Sequence, residues 1–434
     1  MSKKVCMFVW NHFTNDARVL RECTALSEAG YHVDLIAIHD HKDAALPKKE
    51  TFSAGFNVIR VSNRIMLFNI FNRIFRIFKR HWILQLLLLF LSLLGLWYFF
   101  DYTLFILLGL ILCLCIIQIR KMRVLLLRSS IFLRMLWCGI RKKYDVYHAN
   151  DLNTLPQGIL CSKVFRFRRS KLVYDSHEVQ TSRTGYDSSI YGWMEKRYLR
   201  FVDVFIHENH TRADYIEKLY GIYPKVVHNY PFVSRPETLR IVNLREMLKI
   251  PADEPILLYQ GGIQTGRGLD KIVQAVPMFK KGIVVFIGDG RIKLELEEKV
   301  KEMNLENRIK FLPKVPVSEL QYYTPNAYLG FQLLNNVCFN HYSASSNKLF
   351  EYIMSGVPVI ACSFPEIKKV VESEEVGICV DSHNTESIAE TVNYFLDHPN
   401  ERERMSRNCL RARDHYNWDL EKQTFVEIYQ ELLE

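Results

Sequence analysis

Asn347-Lys348-Leu349-Phe350-Glu351-Tyr352, followed by Gly356-Val357-Pro358-Val359-Ile360, is the stretch on which the reading of this chain turns. Phe350, Tyr352, Ile353 and Met354 predict an amphipathic helix with Glu351 near its first turn. Gly356 ends that helix, and Val357 to Ala361 reads as a short buried strand. A carboxylate at the mouth of an α/β sheet, beside a helix N-terminus, suits a ligand that carries hydroxyls and phosphates. Backbone N–H groups and the helix dipole hold the phosphates, and Glu351 accepts hydrogen bonds from a ribose. Taken alone, the stretch reads equally well as a surface helix with a Glu–Lys pair, so the rest of the chain decides.

Outward from it, strand and helix alternate. Val5 to Trp10 reads as a strand, Ala17 to Ala29 as a helix ending at Gly30, and His32 to Ile38 and Val58 to Val61 as strands. Asp145 to His148, a helix from Thr154, and Lys171 to Tyr174 continue the pattern. Asn229-Tyr230-Pro231 and Arg235-Pro236 make a linker, after which Ile256 to Tyr259, Ile283 to Ile287 and Ile309 to Leu312 open a second set that ends near Cys379. This is βαβ logic with parallel sheets, and two doubly wound halves hold ligands between their strand C-termini. Gly261-Gly262-Ile263-Gln264-Thr265-Gly266-Arg267-Gly268 follows a strand and opens a helix. Its glycines let the backbone close on a phosphate and Arg267 can pair with it bidentately. Gly288-Asp289-Gly290 repeats the arrangement or is plain turn chemistry. Asp175-Ser176-His177-Glu178 stands at a strand's end, where His177 either meets a substrate hydroxyl or is a satisfied loop histidine. His148, His207 and His210 read as structural.

The 434 residues, 49% apolar, suit two or three domains. The net charge of +10 fits nucleic acid or an acidic membrane, and its placement selects the membrane. Arg64, Arg73, Arg76, Lys79 and Arg80 precede a long apolar run, and Arg120, Lys121, Arg123, Arg128 and Arg134 follow it. From Trp82 to Ile119 the only formal charge is Asp101. Trp82 to Phe100 makes roughly 28 Å of helix against a hydrocarbon core of about 30 Å. A hairpin that crosses twice is expected, with a re-entrant hairpin as the alternative, and the basic flanks place both ends on the cytoplasmic side. Phe68, Phe71, Ile74, Phe75 and Phe78 opposite Asn69, Asn72, Arg73, Arg76 and Lys79 predict a helix lying against anionic headgroups. Ten scattered cysteines without a CxxC pair fit a reducing compartment, and Met1 to Trp10 lacks a signal-peptide pattern.

No Asp-x-Asp occurs, which removes the paired carboxylates that hold a metal on a diphosphate in the other common glycosyltransferase fold. No GxxxxGK[ST] occurs either. The chain resembles the retaining glycosyltransferases of family 4, which have the GT-B fold. The resemblance rests on Asp16-Ala-Arg18-Val-Leu-Arg21, Tyr174-Asp-Ser-His177-Glu178, Asn229, Tyr259-Gln-Gly-Gly262 with Gly266-Arg267-Gly268, and Asn347-Lys348 to Pro358. It implies two Rossmann-like domains: residues 1–232 on the acceptor side, with a membrane-associated insertion at 66–140 and its hydrophobic hairpin at 82–119, and residues 237–415 on the donor-nucleotide side. Residues 416–434 are then a helix packing back toward the first domain.

The resemblance further implies that Arg267 and Lys348 neutralise the diphosphate of a nucleotide-sugar donor and that Glu351 binds its ribose. Gly261, Gly262 and Asn347 complete the donor site, and His177 faces donor sugar and acceptor. Retaining chemistry on the front face needs no metal or other cofactor, since the leaving phosphate helps to deprotonate the acceptor and its electrostatic stabilisation carries the catalysis. The expected partners are the donor, a lipid-linked or membrane-surface acceptor at the cytoplasmic membrane and anionic lipids, with no nucleic acid. Three departures stand out. The family's paired glutamates lie eight apart, but Ser343 holds the first position; Gly262 stands where an Arg is usual; and Asn11 to Asn15 replaces a two-glycine loop. Ser343 motivates an alternative, a catalytically silent GT-B membrane scaffold, and a GT-B nucleotide-sugar epimerase is a third reading.

Overall fold

A computed structural model describes residues 2–43, 45–65, 119–165, 169–182 and 189–434. The hairpin expected over 82–119 and the basic–aromatic helix before it lie outside these residues, save for Ile119. Among the described residues no helix is long and apolar enough to cross a membrane.

The first sheet comprises β1 (Lys4–Phe8), β2 (His32–His39), β3 (Lys49–Thr51), β4 (Asn57–Ser62), β5 (Val146–Asn150), β6 (Lys171–Ser176), β7 (Val204–His207) and β8 (Lys225–Val226) in the order β3-β4-β2-β1-β5-β6-β7-β8. All pairings are parallel except β3 against β4. The second comprises β9 (Ile256–Gln260), β10 (Ile283–Ile287), β11 (Ile309–Leu312), β12 (Leu329–Gln332), β13 (Val359–Cys362) and β14 (Gly377–Val380) in the order β11-β10-β9-β12-β13-β14. β9 and β10 are buried throughout because helices cover both faces, which is why they read as unbroken apolar runs. Successive residues serve opposite cores: Ile256 and Leu258 pack on one side of the second sheet, Leu257 and Tyr259 on the other. The order reverses between β1 and β5 and between β9 and β12, and the two switch points face one cleft.

Sequence periodicity misses β3, β7, β8 and β12, all four residues or shorter. Gly330 breaks the pattern of β12 for a reason the fold supplies. A Cβ there would stand 2.7 Å from the ring of Tyr352. That ring crosses the strand and sends its hydroxyl to the Leu258 carbonyl at 2.9 Å. The Gly330 gap thereby fixes the height of helix Asn347–Met354 above the sheet. Gly330→Ala is expected to destabilise the chain by about 1–3 kcal/mol and to weaken ligand binding at Glu351, read by thermal unfolding with and without nucleotide.

Trp418, Phe425, Ile428 and Tyr429 of the last helix, Trp418–Leu433, pack into the core of the first domain against Val5, Met7 and Val19. The chain thus crosses between domains twice, near Pro231 and again at Arg413–Trp418, where the Trp418 N–H donates to the Pro231 carbonyl at 2.8 Å.

Candidate functional site

The turn from β9 to helix Leu269–Ala275 has Gly261, Gly266 and Gly268 at positive φ. Gly261 donates its N–H to Ile287 and Ile263 donates to Asp289, so the turn lies on the Gly288–Gly290 loop with almost no space between. A Cβ on Gly288 would stand 1.9 Å from the Gly261 carbonyl oxygen. Gly288-Asp289-Gly290 is therefore the support of the first turn. Above that turn sits Lys348, 6% exposed, its Nζ 4.5 Å from the centre of the Tyr259 ring and 3.3 Å from its hydroxyl. Burial, reinforced by repulsion from Arg267, pushes the Lys348 ammonium well below its ordinary range. Lys348 and Arg267 thus stand close together, and among the described residues neither hydrogen-bonds a carboxylate.

Helix Asn347–Met354 starts at Asn347, so Glu351 lies in its second turn, and six of its eight residues are buried. Asn347 is exposed and Glu351 half-buried. Gln260 Nε2 donates to Glu351 Oε2 at 2.7 Å, and Thr324 Oγ1 donates to Gln260 Oε1 at 2.8 Å. This chain aims the carboxylate. Burial raises its proton affinity, against the pull of Gln260, Lys348 and Arg21.

Across the cleft, Arg18 donates to both oxygens of Asp175 at 2.7 and 2.9 Å and lies 3.0 Å from Glu22. All three are at most 4% exposed. Burial works against the Asp175 carboxylate, but Arg18 and His177 outweigh it and hold the group well below its usual range. Glu22 goes the other way, raised by burial and by Asp175. His177 follows β6. Its Nε2 lies 3.2 Å from Asn150 Oδ1 and 3.4 Å from Asp175, and its N–H donates to Asp151 at 3.2 Å. Burial opposes its charge, yet Asp151 and Asp175 lift it to about 10. A group raised above its ordinary value of about 6.5 contributes stability that is full below that pH and fades through its folded value. The imidazolium is thus expected to persist through neutral pH. Asp151 adopts φ 62, which Asn tolerates as well. Asp151→Asn is therefore expected to move the His177 titration back toward 6.5, as followed by NMR.

The loop Asn11–Asn15 turns without glycine because Phe13 takes φ 52 and buries its ring against Phe52 and Phe56, while Asn11 Oδ1 accepts the Phe13 N–H. Two adjoining cavities open above this loop. One of about 410 Å³ is lined by His177, Arg18, Glu208, Asn229, Asn347 and Glu351. The other, of about 350 Å³, shares Asn347 and Glu351 but is largely apolar, with Phe13, Phe52, Phe232 and Met354. The structure thus gathers His177, Asn347 and Glu351 on one cavity, with the Lys348 side chain against the turn at Gly261 and Gly262 and Arg267 beside Tyr259. Glu208, Arg212 and Asn150 carry no sequence signal, since each follows or ends a short strand or lies on a plain helix. Among the described residues, Glu22, His148 and Asp175 are the acid–histidine group close enough to share a cation. The Arg18 guanidinium already serves that place. His148 is otherwise engaged, bonding the Tyr429 hydroxyl at 2.6 Å, and His207 and His210 likewise bond the Glu208 N–H and Tyr223.

Two facing doubly wound domains with this cleft define a GT-B architecture. Residues 241–411 match the family described as "Glycosyl transferases group 1". Sucrose-phosphate synthase from Thermosynechococcus elongatus superposes with a TM-score of 0.70 at 17% identity over 99% of both chains. HepE of Anabaena, solved with UDP-glucose, does so with 0.68 at 13% over 99% of both. These likenesses show the fold. In sequence, D-inositol 3-phosphate glycosyltransferase of Thermomonospora curvata is 25% identical over 198 residues, which cover 43% of this chain and 44% of the relative. The chain spans about half the length of the first curated relatives it matches.

Proposed function

We propose that this chain is a retaining, metal-independent glycosyltransferase that moves a sugar from a nucleotide donor to a lipid-linked or membrane-surface acceptor at the cytoplasmic membrane face. The observation that carries the donor half is the pairing of an aimed carboxylate with two cations that hydrogen-bond no carboxylate among the described residues. Glu351 is oriented by Gln260 and Thr324 beside Lys348, Arg267 and the glycine turn. A ribose on Glu351 places a diphosphate over Lys348 and Arg267, with the sugar toward His177. Cations on the departing diphosphate then stabilise the charge that develops there. HepE, a neighbour of the same fold, is solved with a nucleotide sugar, UDP-glucose.

For the membrane half, the support is helix Arg120–Arg141. It buries Ile131, Met135, Leu136 and Gly139 on the sheet and leaves Leu133 and Trp137 61% and 60% exposed. From Arg120 to Lys143 it contains no acidic residue, a combination suited to an anionic lipid surface. Leu133→Ser with Trp137→Ser is expected to lower co-sedimentation with anionic vesicles at least several-fold while thermal stability holds.

A thermal-shift screen of nucleotide sugars tests the donor half. A ligand at a hundred times its Kd adds about 2.7 kcal/mol, and Glu351→Ala should abolish that gain. No stabilisation by any nucleotide sugar, and no nucleoside diphosphate released in the presence of lipid-linked acceptors, would sink the proposal. A silent scaffold would bind no more weakly after Glu351→Ala.

A further inference from the structure

Ser343, which holds the family's first glutamate position, is fully buried. Its hydroxyl donates to Phe339 at 2.7 Å and accepts from Arg212 Nε at 3.2 Å. Buried and bonded on both sides in this way, its short side chain has no free hydroxyl to offer the donor sugar. The same guanidinium bonds Glu208 through Nη1 and the His177 carbonyl at 2.6 Å. Arg212 thus joins the vacated position to a carboxylate from the opposite domain.

That carboxylate is placed by the sheet. Ser176 of β6 registers with His207 of β7, so His177 and Glu208 are the next neighbours on adjacent strands spaced about 4.8 Å apart. Both leave the C-terminal end of a parallel sheet, where ligands of such folds are held. Glu208 keeps 12% exposure and lines the 410 Å³ cavity together with His177 and Glu351. Asn209 caps the following helix through the Arg212 N–H at 2.9 Å, which fixes the direction of the turn. Of the two carboxylate oxygens, Oε2 serves Arg212, and Oε1 accepts no hydrogen bond among the described residues.

We infer that Glu208 is the carboxylate this chain uses on the transferred sugar, accepting hydrogen bonds from its hydroxyls through Oε1 while Glu351 holds the ribose. The inference rests on the nucleotide-sugar reading above. It assigns to the first domain a contact that the family's sequence pattern places in the second.

Glu208→Gln tests it cleanly. The amide oxygen still accepts from Arg212, but the group then turned to the sugar is an N–H donor. Saturation-transfer difference NMR with UDP-glucose, UDP-N-acetylglucosamine and GDP-mannose reads sugar and base protons separately. The expected result is loss of most of the sugar-proton signal with base protons unchanged. A fall of about tenfold to a hundredfold in kcat/KM for donor turnover should accompany it, with the Kd of the bare nucleoside diphosphate within twofold. Unchanged sugar signals in Glu208→Gln overturn the assignment, and so does a parallel loss of base signals, which marks Glu208 as a mere support of Arg212. If the unsubstituted protein binds none of the probes, the donor reading itself fails and takes this one with it.

Discussion

Lys348→Ala is expected to cut turnover about 10²–10³-fold, the loss typical of removing one group that stabilises developing charge. The side chain is buried beside Tyr259, Gly261 and Arg267, and the pull of Glu351 on its charge is outweighed by burial and by Arg267. Its ammonium is poised below its ordinary range because burial and a neighbouring cation disfavour the charge, and an arriving diphosphate reverses that balance. Nucleotide binding is therefore coupled to proton uptake at Lys348 at any pH above its lowered value, and affinity should weaken as pH rises through that range. Calorimetry in two buffers of different ionisation enthalpy measures the uptake. Lys348→Ala should abolish it, and a binding enthalpy independent of buffer throughout that range contradicts the assignment.

Arg18→Ala is expected to destabilise the first domain by about 3–5 kcal/mol, because it takes from Glu22 and Asp175, both buried, the cation they share and leaves His177 alone beside Asp175. Glu22 and Asp175 are both fully buried, and neither can reach water. The sign of the pH dependence follows from Asp175. Its folded value lies below the ordinary one of about 3.9, so its contribution is present above that pH and is lost as acid titrates it. In the variant that favourable term is gone and ionised Asp175 becomes a cost. The deficit should be largest at neutral pH and shrink toward acid. Chemical unfolding at pH 7 and pH 4 measures this, and an equal deficit at both argues against an electrostatic origin.

Much of this was legible in the sequence. Runs such as Ile283–Ile287 are buried on both faces and announce themselves, and the Asn347–Ile360 stretch carries helix, glycine stop and strand in one reading. That Glu351 and Lys348 lie on one helix follows from the same spacing. What stayed hidden depends on distance along the chain. Arg18 meets Asp175 across 157 positions, and Asn340 bonds Val179 across 161, relations that no local period records. Glu208 was hidden differently. The four-residue β7 that aims it is too short for alternation to show. Ser343 was visible only as a departure, and its burial beneath Arg212 could not be read from its neighbours.

The two interdomain crossings described earlier have a mechanical consequence. They are cross-linked, by Trp418 to Pro231 and by Arg413 to Glu237 at 3.1 Å, so they act as two pins of one door. The free edge of that door is the loop carrying Asn340, whose amide bonds Val179 and Ser182 of the facing domain at 2.8–3.1 Å. Parting the domains there breaks that amide's bonds together with those of Arg212 to Asn340 and Ser343 and of Thr211 to Glu366, so several contacts far from the pins hold the two halves together.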